Sequence, residues 1–306
     1  MEIYLAHTQG FCAGVARAIN VLEKALKKYG APLYAYHEIV HNTAVVEDFK
    51  KRGVLFVENI NGIPDGSHVV FSAHGVSPEI IAKAKEKKLH VIDATCLLVE
   101  KVHREAKKFS ERNVPTILIG HRYHQEIVGT SGYVKPELLH IIISAQDIDK
   151  LDIDPSREVG YLTQTTLSLD DTENLIHELK SKFPKLIGST KKDICYATQN
   201  RQDAIKEMAK ICDLIIICGS PNSSNSNRLR EIGEKRNIPS TLVDRAKDFD
   251  LKLLEGKNKI GISSGASVPK FIVDELIEKI KSQYPDVVIH VKESPEKKIV
   301  FPLPSI

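Results

Sequence analysis

The stretch Ile3-Tyr4-Leu5-Ala6-His7-Thr8-Gln9-Gly10-Phe11-Cys12-Ala13-Gly14 runs from an apolar strand through a Gly-bounded loop straight into a helix. The helix is read from Val21, Leu22, Ala25 and Leu26, spaced as one buried stripe. Cys12 therefore stands at the corner between a strand end and a helix start. The same corner returns in Asp93-Ala94-Thr95-Cys96 and in Asp193-Ile194-Cys195-Tyr196-Ala197-Thr198. The separations of 84 and 99 residues are nearly equal, and each is a plausible length for a small domain. The spacing predicts three similar small α/β domains with largely parallel sheets, each offering one Cys from the same position. The domains are expected over 1–96, 97–193 and 194–280, with 281–306 as a tail that packs back on the body.

Further strand-like runs precede His74 (Val69-Val70-Phe71), His121 (Ile117-Leu118-Ile119), Thr163 (Val159-Gly160-Tyr161-Leu162), Gly219 (Ile215-Ile216-Ile217) and Ser263 (Ile260-Gly261-Ile262). Strands alternating with amphipathic helices imply parallel crossover connections. With 306 residues and 42% hydrophobic residues the chain can build a sizeable core, which excludes disorder and collagen-like repetition. The formal charge of +3 comes with no basic block, so nucleic acid is not an expected partner. No apolar run approaches the roughly 18 residues of a membrane span, and Met1-Glu2-Ile3-Tyr4-Leu5 reads as a strand, so the expected location is the cytoplasm. Five Cys, with no C-x-x-C pair, argue against a disulfide framework.

A free Cys is often a small buried hydrophobe, and Cys212 and Cys218 fit that role at a helix end and inside an apolar strand. Cys12, Cys96 and Cys195 do not, because a helix N-terminus stabilises thiolate over thiol. Three such thiolates suit zinc completed by His, or an iron–sulfur cluster with one iron open to substrate. His37-Glu38-Ile39-Val40-His41 matches H-E-x-x-H, but that zinc chemistry needs both His on one helix face. Here the motif continues the strand-like run Pro32-Leu33-Tyr34-Ala35-Tyr36, and β-branched Ile39 and Val40 favour extended structure.

Polar loops at strand ends form a second recurring feature: Ala73 to Pro78, Gly219 to Arg228 and Ser263 to Pro269. Their Ser, Asn and His donors at helix starts suit an anion, phosphate above all. Any single Ser or Asn there could equally be an N-cap, although Asn222 to Asn227 holds more such residues than one cap requires. In Gly120-His121-Arg122-Tyr123-His124-Gln125-Glu126, a His and a carboxylate two residues apart could relay protons if the Glu were held out of water.

Seven motifs, in order, resemble the 4-hydroxy-3-methylbut-2-enyl diphosphate reductase family: Gly10 to Val15, His37 to Asn42, Ser72 to Ser77, Asp93 to Cys96, Thr163 to Ser168, Ile194 to Thr198 and Asn222 to Arg228. The resemblance implies a 4Fe-4S cluster on Cys12, Cys96 and Cys195, in the central cavity of a pseudo-threefold, trefoil-like arrangement of the three domains. It implies Glu126 as proton source, with Thr165 and His124 in its relay. It also implies His41, His74, His124, Ser223, Ser224, Asn225 and Ser267 as diphosphate ligands, and ferredoxin or flavodoxin as electron donor. The implied reaction removes the allylic hydroxyl as water, with two electrons and two protons, giving isopentenyl and dimethylallyl diphosphates. An iron–sulfur dehydratase acting on another small phosphate ester is the alternative. The sequence departs from the family pattern at Gln9, where Arg is frequent, at Leu97, where Pro is usual, and at Tyr123 and Gln125, where Gly and Pro are common.

Overall fold

The computed structural model describes residues 1–189, 193–291 and 299–306. The chain divides into two compact units. One is built from Met1–Ala16, Val40–Phe49 and Tyr196–Val300, the other from Arg17–Ile39, Lys50–Cys195 and Phe301–Ile306. In chain order the elements begin with β1 (Glu2–Leu5), α1 (Ala13–Tyr29), β2 (Leu33–Tyr36), α2 (Thr43–Lys51), β3 (Val54–Val57), β4 (His68–Phe71), α3 (Pro78–Glu86) and β5 (His90–Asp93). They continue with α4 (Leu97–Glu111), β6 (Thr116–Ile119), α5 (Gln125–Ser131), β7 (Leu139–Ile142), α6 (Ala145–Asp149), β8 (Val159–Thr163), α7 (Leu169–Lys182) and β9 (Leu186–Gly188). The last are α8 (Tyr196–Met208), β10 (Leu214–Cys218), α9 (Ser224–Glu234), β11 (Ser240–Val243), β12 (Lys259–Ser264), α10 (Lys270–Gln283) and β13 (Val288–Val291).

Three sheets result, ordered β11-β10-β12-β1-β13, β3-β2-β4-β5 and β7-β6-β8-β9, and every strand pairing in them is parallel. The three expected parallel α/β sheets are present. β1 was expected with the first domain, yet it lies between β12 and β13 in the sheet of the last. Strand pairing is non-local, and no periodicity within Glu2–Leu5 records its partner. The expected tail supplies β13, which pairs with β1; its segment 292–298 lies outside the described residues.

Each sheet is buried by the alternation of its side chains. In β10, Leu214, Ile216 and Cys218 face a core with Ile272, Leu276 and Ile280 of α10, while Ile215 and Ile217 face a second core with Ile205 and Met208 of α8 and Leu229 and Ile232 of α9. Cys212 belongs to that second core. Burial pushes the Cys212 thiol up to about 11 and that of Cys218 up to about 12. Both cysteines therefore pack as the hydrophobes expected. In the last sheet, Ile117 and Ile119 of β6 pack with Leu175 and Leu179 of α7, while Leu118 packs with Val102, Ala106 and Phe109 of α4. Each fully buried Ile or Leu contributes about 1.5–3 kcal/mol, and the polar loops at the strand ends are carried on this frame. No helix among the described residues is long and apolar enough to cross a membrane.

Candidate active site

The three Cys corners share one construction. The backbone N–H of Cys12 donates to the carbonyl of Ala266 at 3.0 Å, that of Cys96 to Ala73 at 3.0 Å and that of Cys195 to Thr165 at 3.1 Å. Each Cys is thus fastened to a neighbouring strand-end loop that carries polar candidates: Ser267, His74 and Thr165 itself. Each also stands directly before a helix, α1, α4 or α8. The Sγ of Cys12 accepts the N–H of Val15 at 3.5 Å, as a capping side chain at a helix N-terminus does. All three are half-buried and outside any disulfide. Among the described residues no group of three His, Cys, Asp or Glu is placed to hold a single metal ion. Thiolates are the donors an iron–sulfur group takes, and Cys12, Cys96 and Cys195 each have that donor chemistry.

In the second unit the relay residues are contiguous. Glu126 lies in the first turn of α5 and is 2% exposed, so it is held out of water as the relay requires. Thr165 donates its N–H to Oε1 at 2.7 Å and its hydroxyl to Oε2 at 2.9 Å. Burial nevertheless pushes the carboxyl up to about 7, with the two Thr165 hydrogen bonds opposing and the charge of Asp193 assisting. His124 caps α5, its Nδ1 accepting the N–H of Glu126 at 3.2 Å. A neutral His124 ring therefore carries its proton on Nε2, where it can donate to an anion. The His74 and His124 rings meet edge-on, with centroids 5.8 Å apart. Tyr123 is 91% exposed and turned outward, so His124 keeps its capping position despite the altered neighbours. Leu97 is the first residue of α4, a position whose N–H lacks an intrahelical partner and which Pro also suits.

The turn after His74 requires Gly75, which has φ +75°; a Cβ there would approach His103 Cε1 to 2.5 Å. His103 stacks on Tyr133 at 4.5 Å, and burial pushes its imidazole down to about 4, so it packs as a neutral ring. Lys101 reaches Asp193 at 2.9 Å, and the other Asp193 oxygen accepts the N–H of Thr163 at 3.2 Å. This pair braces the residues just ahead of Cys195.

In the first unit, Ser223 caps α9 by accepting from the N–H of Ser226 at 3.3 Å, the local duty a Ser in this loop was open to. Ser224 and Asn225 form the first turn behind it. Asn225 Oδ1 accepts the N–H of Ala266 at 2.9 Å, whereas its buried Nδ2 has no hydrogen-bond partner among the described residues. A buried amide donor at a helix N-terminus is suited to an anion. Ser267 donates to the carbonyl of His41 at 2.8 Å, which brings two candidate diphosphate ligands together. The H-E-x-x-H segment lies between β2 and α2, outside both elements. The extended run ends at Tyr36, and His37, at φ +63°, bonds through Nδ1 to Glu58 at 2.5 Å. The arrangement lacks the helix that two zinc-binding His would share.

Two buried cations carry no sequence signal of their role. Arg201 is 1% exposed and donates to the carbonyls of Gly10 at 2.7 Å, Ala197 at 3.1 Å and Ser264 at 3.2 Å, fastening the Cys12 loop to the end of β12. Arg17 is 6% exposed and donates to the carbonyls of Thr95 and Pro302. Carbonyl acceptors are the same at every residue, so no motif announces such contacts.

Residues 3–281 match the family model described as LytB protein. The 4-hydroxy-3-methylbut-2-enyl diphosphate reductase of Nitrosomonas europaea is 45% identical over 311 residues, covering 99% of this chain and 96% of the relative. The protein of the same name from Photobacterium profundum is 48% identical over 284 residues, covering 92% and 91%. The solved E-1-hydroxy-2-methyl-but-2-enyl-4-diphosphate reductase of Plasmodium falciparum matches with a TM-score of 0.96 and 38% identity, over 99% of this chain and 95% of that one. A second solved structure, of (E)-4-hydroxy-3-methyl-but-2-enyl diphosphate reductase, the terminal enzyme of the non-mevalonate pathway, matches with a TM-score of 0.64 and 30% identity. The chain belongs to the LytB family, that of the 4-hydroxy-3-methylbut-2-enyl diphosphate reductases.

Proposed function

We propose that this chain reduces (E)-4-hydroxy-3-methylbut-2-enyl diphosphate to isopentenyl and dimethylallyl diphosphates, removing the allylic hydroxyl as water with two electrons and two protons. The observation that carries the reading is Glu126: buried, close to half-protonated near neutral pH, and tied through Thr165 to the Cys195 corner. Family membership at 45% identity over nearly the whole chain supports the same reading.

Cys12, Cys96 and Cys195 would hold a 4Fe-4S cluster. When bound, that group supplies electrons and a Lewis-acidic iron for the allylic oxygen. Glu126, in its neutral form, holds the proton destined for the leaving hydroxyl at a carboxyl oxygen, and Thr165 keeps that carboxyl aimed. Donors at His41, His74, His124, Ser223, Ser224, Asn225 and Ser267 bind the diphosphate; the partnerless Nδ2 of Asn225 is a donor already excluded from water. Reducing equivalents come from a ferredoxin or flavodoxin in the cytoplasm, a compartment that keeps thiolate ligands reduced.

The deciding experiment measures iron, sulfide and reductive turnover on one anaerobic preparation. About four iron and four sulfide per chain, with turnover of the diphosphate, are expected. Zinc in place of iron, or a cluster-loaded chain that leaves this diphosphate untouched, would overturn the proposal.

A further inference from the structure

We infer that Phe301–Ile306 is a strap that fixes the Cys96 corner through Arg17. The inference rests on the reading of Cys96 as a cluster ligand. Arg17, near the start of α1, donates from Nη1 to the carbonyl of Thr95 at 2.7 Å and from Nε to the carbonyl of Pro302 at 2.9 Å. One guanidinium thus joins the residue before Cys96 to the strap. Farther along α1, Lys28 donates to the carbonyl of Ile306. The eleven steps from Arg17 to Lys28 span about 16 Å of helix, and the four steps from Pro302 to Ile306 reach about 14 Å when extended. The strap therefore runs extended beside α1, and Pro302 and Pro304 favour that extended backbone before any contact forms.

The Cys96 corner has its other polar groups committed elsewhere. Thr95 donates its N–H and its hydroxyl to Asp93 Oδ1, at 2.8 and 2.5 Å, and Cys96 N–H donates to Ala73. The Thr95 carbonyl is held by Arg17, which is 6% exposed and so cannot exchange a lost partner freely for water. Without the strap, the buried Nε loses the Pro302 carbonyl, and the guanidinium must turn or draw water to recover a bond. Either movement slackens its hold on Thr95 and on the Sγ one residue later. Arg17 is a positioning residue, acting on a ligand that it does not touch.

The test uses three variants: a stop codon at position 301, Arg17→Lys, which keeps the charge but loses the planar fork that sets Nε and Nη1 on separate carbonyls, and the two combined. Cluster loss to an iron chelator is followed in the anaerobic holoprotein. After cluster removal, alkylation of Cys96 and Cys195 is followed by mass spectrometry. Each single variant should lose its cluster and alkylate Cys96 about tenfold faster, as expected for loss of one charge-assisted hydrogen bond. Cys195 should keep its rate, and the combined variant should be no faster than the faster single one, because both act through the same contact. Wild-type rates in the truncated chain, or effects that multiply in the combined variant, would overturn the strap. If Arg17→Lys does not fold by circular dichroism, the truncated chain decides alone. A wild-type chain that never holds a 4Fe-4S cluster defeats the reading of Cys96 instead, and the alkylation rates then still judge the strap.

Discussion

Thr165 donates twice to Glu126, through its N–H at 2.7 Å and its hydroxyl at 2.9 Å, while its own carbonyl accepts the N–H of Cys195 at 3.1 Å. One residue thus sets both the orientation of the candidate proton donor and the backbone of a candidate cluster ligand. Two donors aimed at a carboxyl favour its ionised form, yet burial outweighs them and leaves the group near neutrality. A general acid working near pH 7 needs that balance.

Glu126→Gln should retain the cluster and lower reductive turnover by on the order of 10²–10⁴-fold, the usual worth of a general acid. The stability effect has the opposite sign at high pH. The folded pKa of about 7 lies above the ordinary 4.5, so the group's contribution is fully present below pH 4.5 and lost as pH rises through 7. The difference is on the order of 3 kcal/mol. Glu126→Gln should therefore unfold at a higher temperature than wild type at pH 8 and at a similar temperature at pH 4.5. Calorimetry at the two pH values checks this, and a lower midpoint for the variant at pH 8 would refute it.

Thr165→Val removes the hydroxyl and keeps the N–H. Because that hydroxyl lowers the Glu126 pKa, its loss should move the basic limb of the pH–rate profile upward by roughly half a unit to one unit. The measurement is turnover against pH between 6 and 9. A limb that stays in place would separate Thr165 from the titration of Glu126.

The Cys corners were legible because strand end, Gly or Asp loop and helix start are local signals, as in Gly10 to Gly14 and Asp93 to Cys96. The membership of β1 was not, since pairing with β12 and β13 joins opposite ends of the sequence. Nor was the burial of Glu126: a carboxylate at a helix start reads as solvated until the Thr165 loop is seen donating to both of its oxygens. His37 to His41 misled in a smaller way. Its β-branched residues favour a strand, but the left-handed turn at His37 ends β2 one residue earlier. Ser223 retained both meanings in the sequence; in the structure it caps α9, while Asn225 two residues on has a donor with no partner among the described residues.

The division of the five Cys into three and two predicts contrasting variants. Cys96→Ser should abolish cluster binding, read as loss of iron, sulfide and visible absorbance. Cys218→Ala should keep iron and sulfide at wild-type levels and lower stability by about 1 kcal/mol, because a buried thiol is exchanged for a smaller apolar group. Iron loss in the Cys218 variant equal to that in the Cys96 variant would erase the distinction.

Asn225 offers the sharpest test of diphosphate binding, because its two ends do different things. Oδ1 fixes the N–H of Ala266, the residue whose carbonyl holds Cys12, and Nδ2 is buried without a partner. Asn225→Asp keeps the first contact and replaces the donor with an acceptor carrying negative charge. Cluster content should therefore be unchanged, while KM for the diphosphate should rise at least about tenfold through the lost donor and the new repulsion. The effect should weaken at pH values low enough to protonate the introduced carboxyl. Steady-state kinetics with iron analysis on the same samples separates the two ends: a changed KM with full iron assigns Nδ2 to the diphosphate, whereas lost iron with an unchanged KM in the loaded fraction would confine Asn225 to supporting the Cys12 corner.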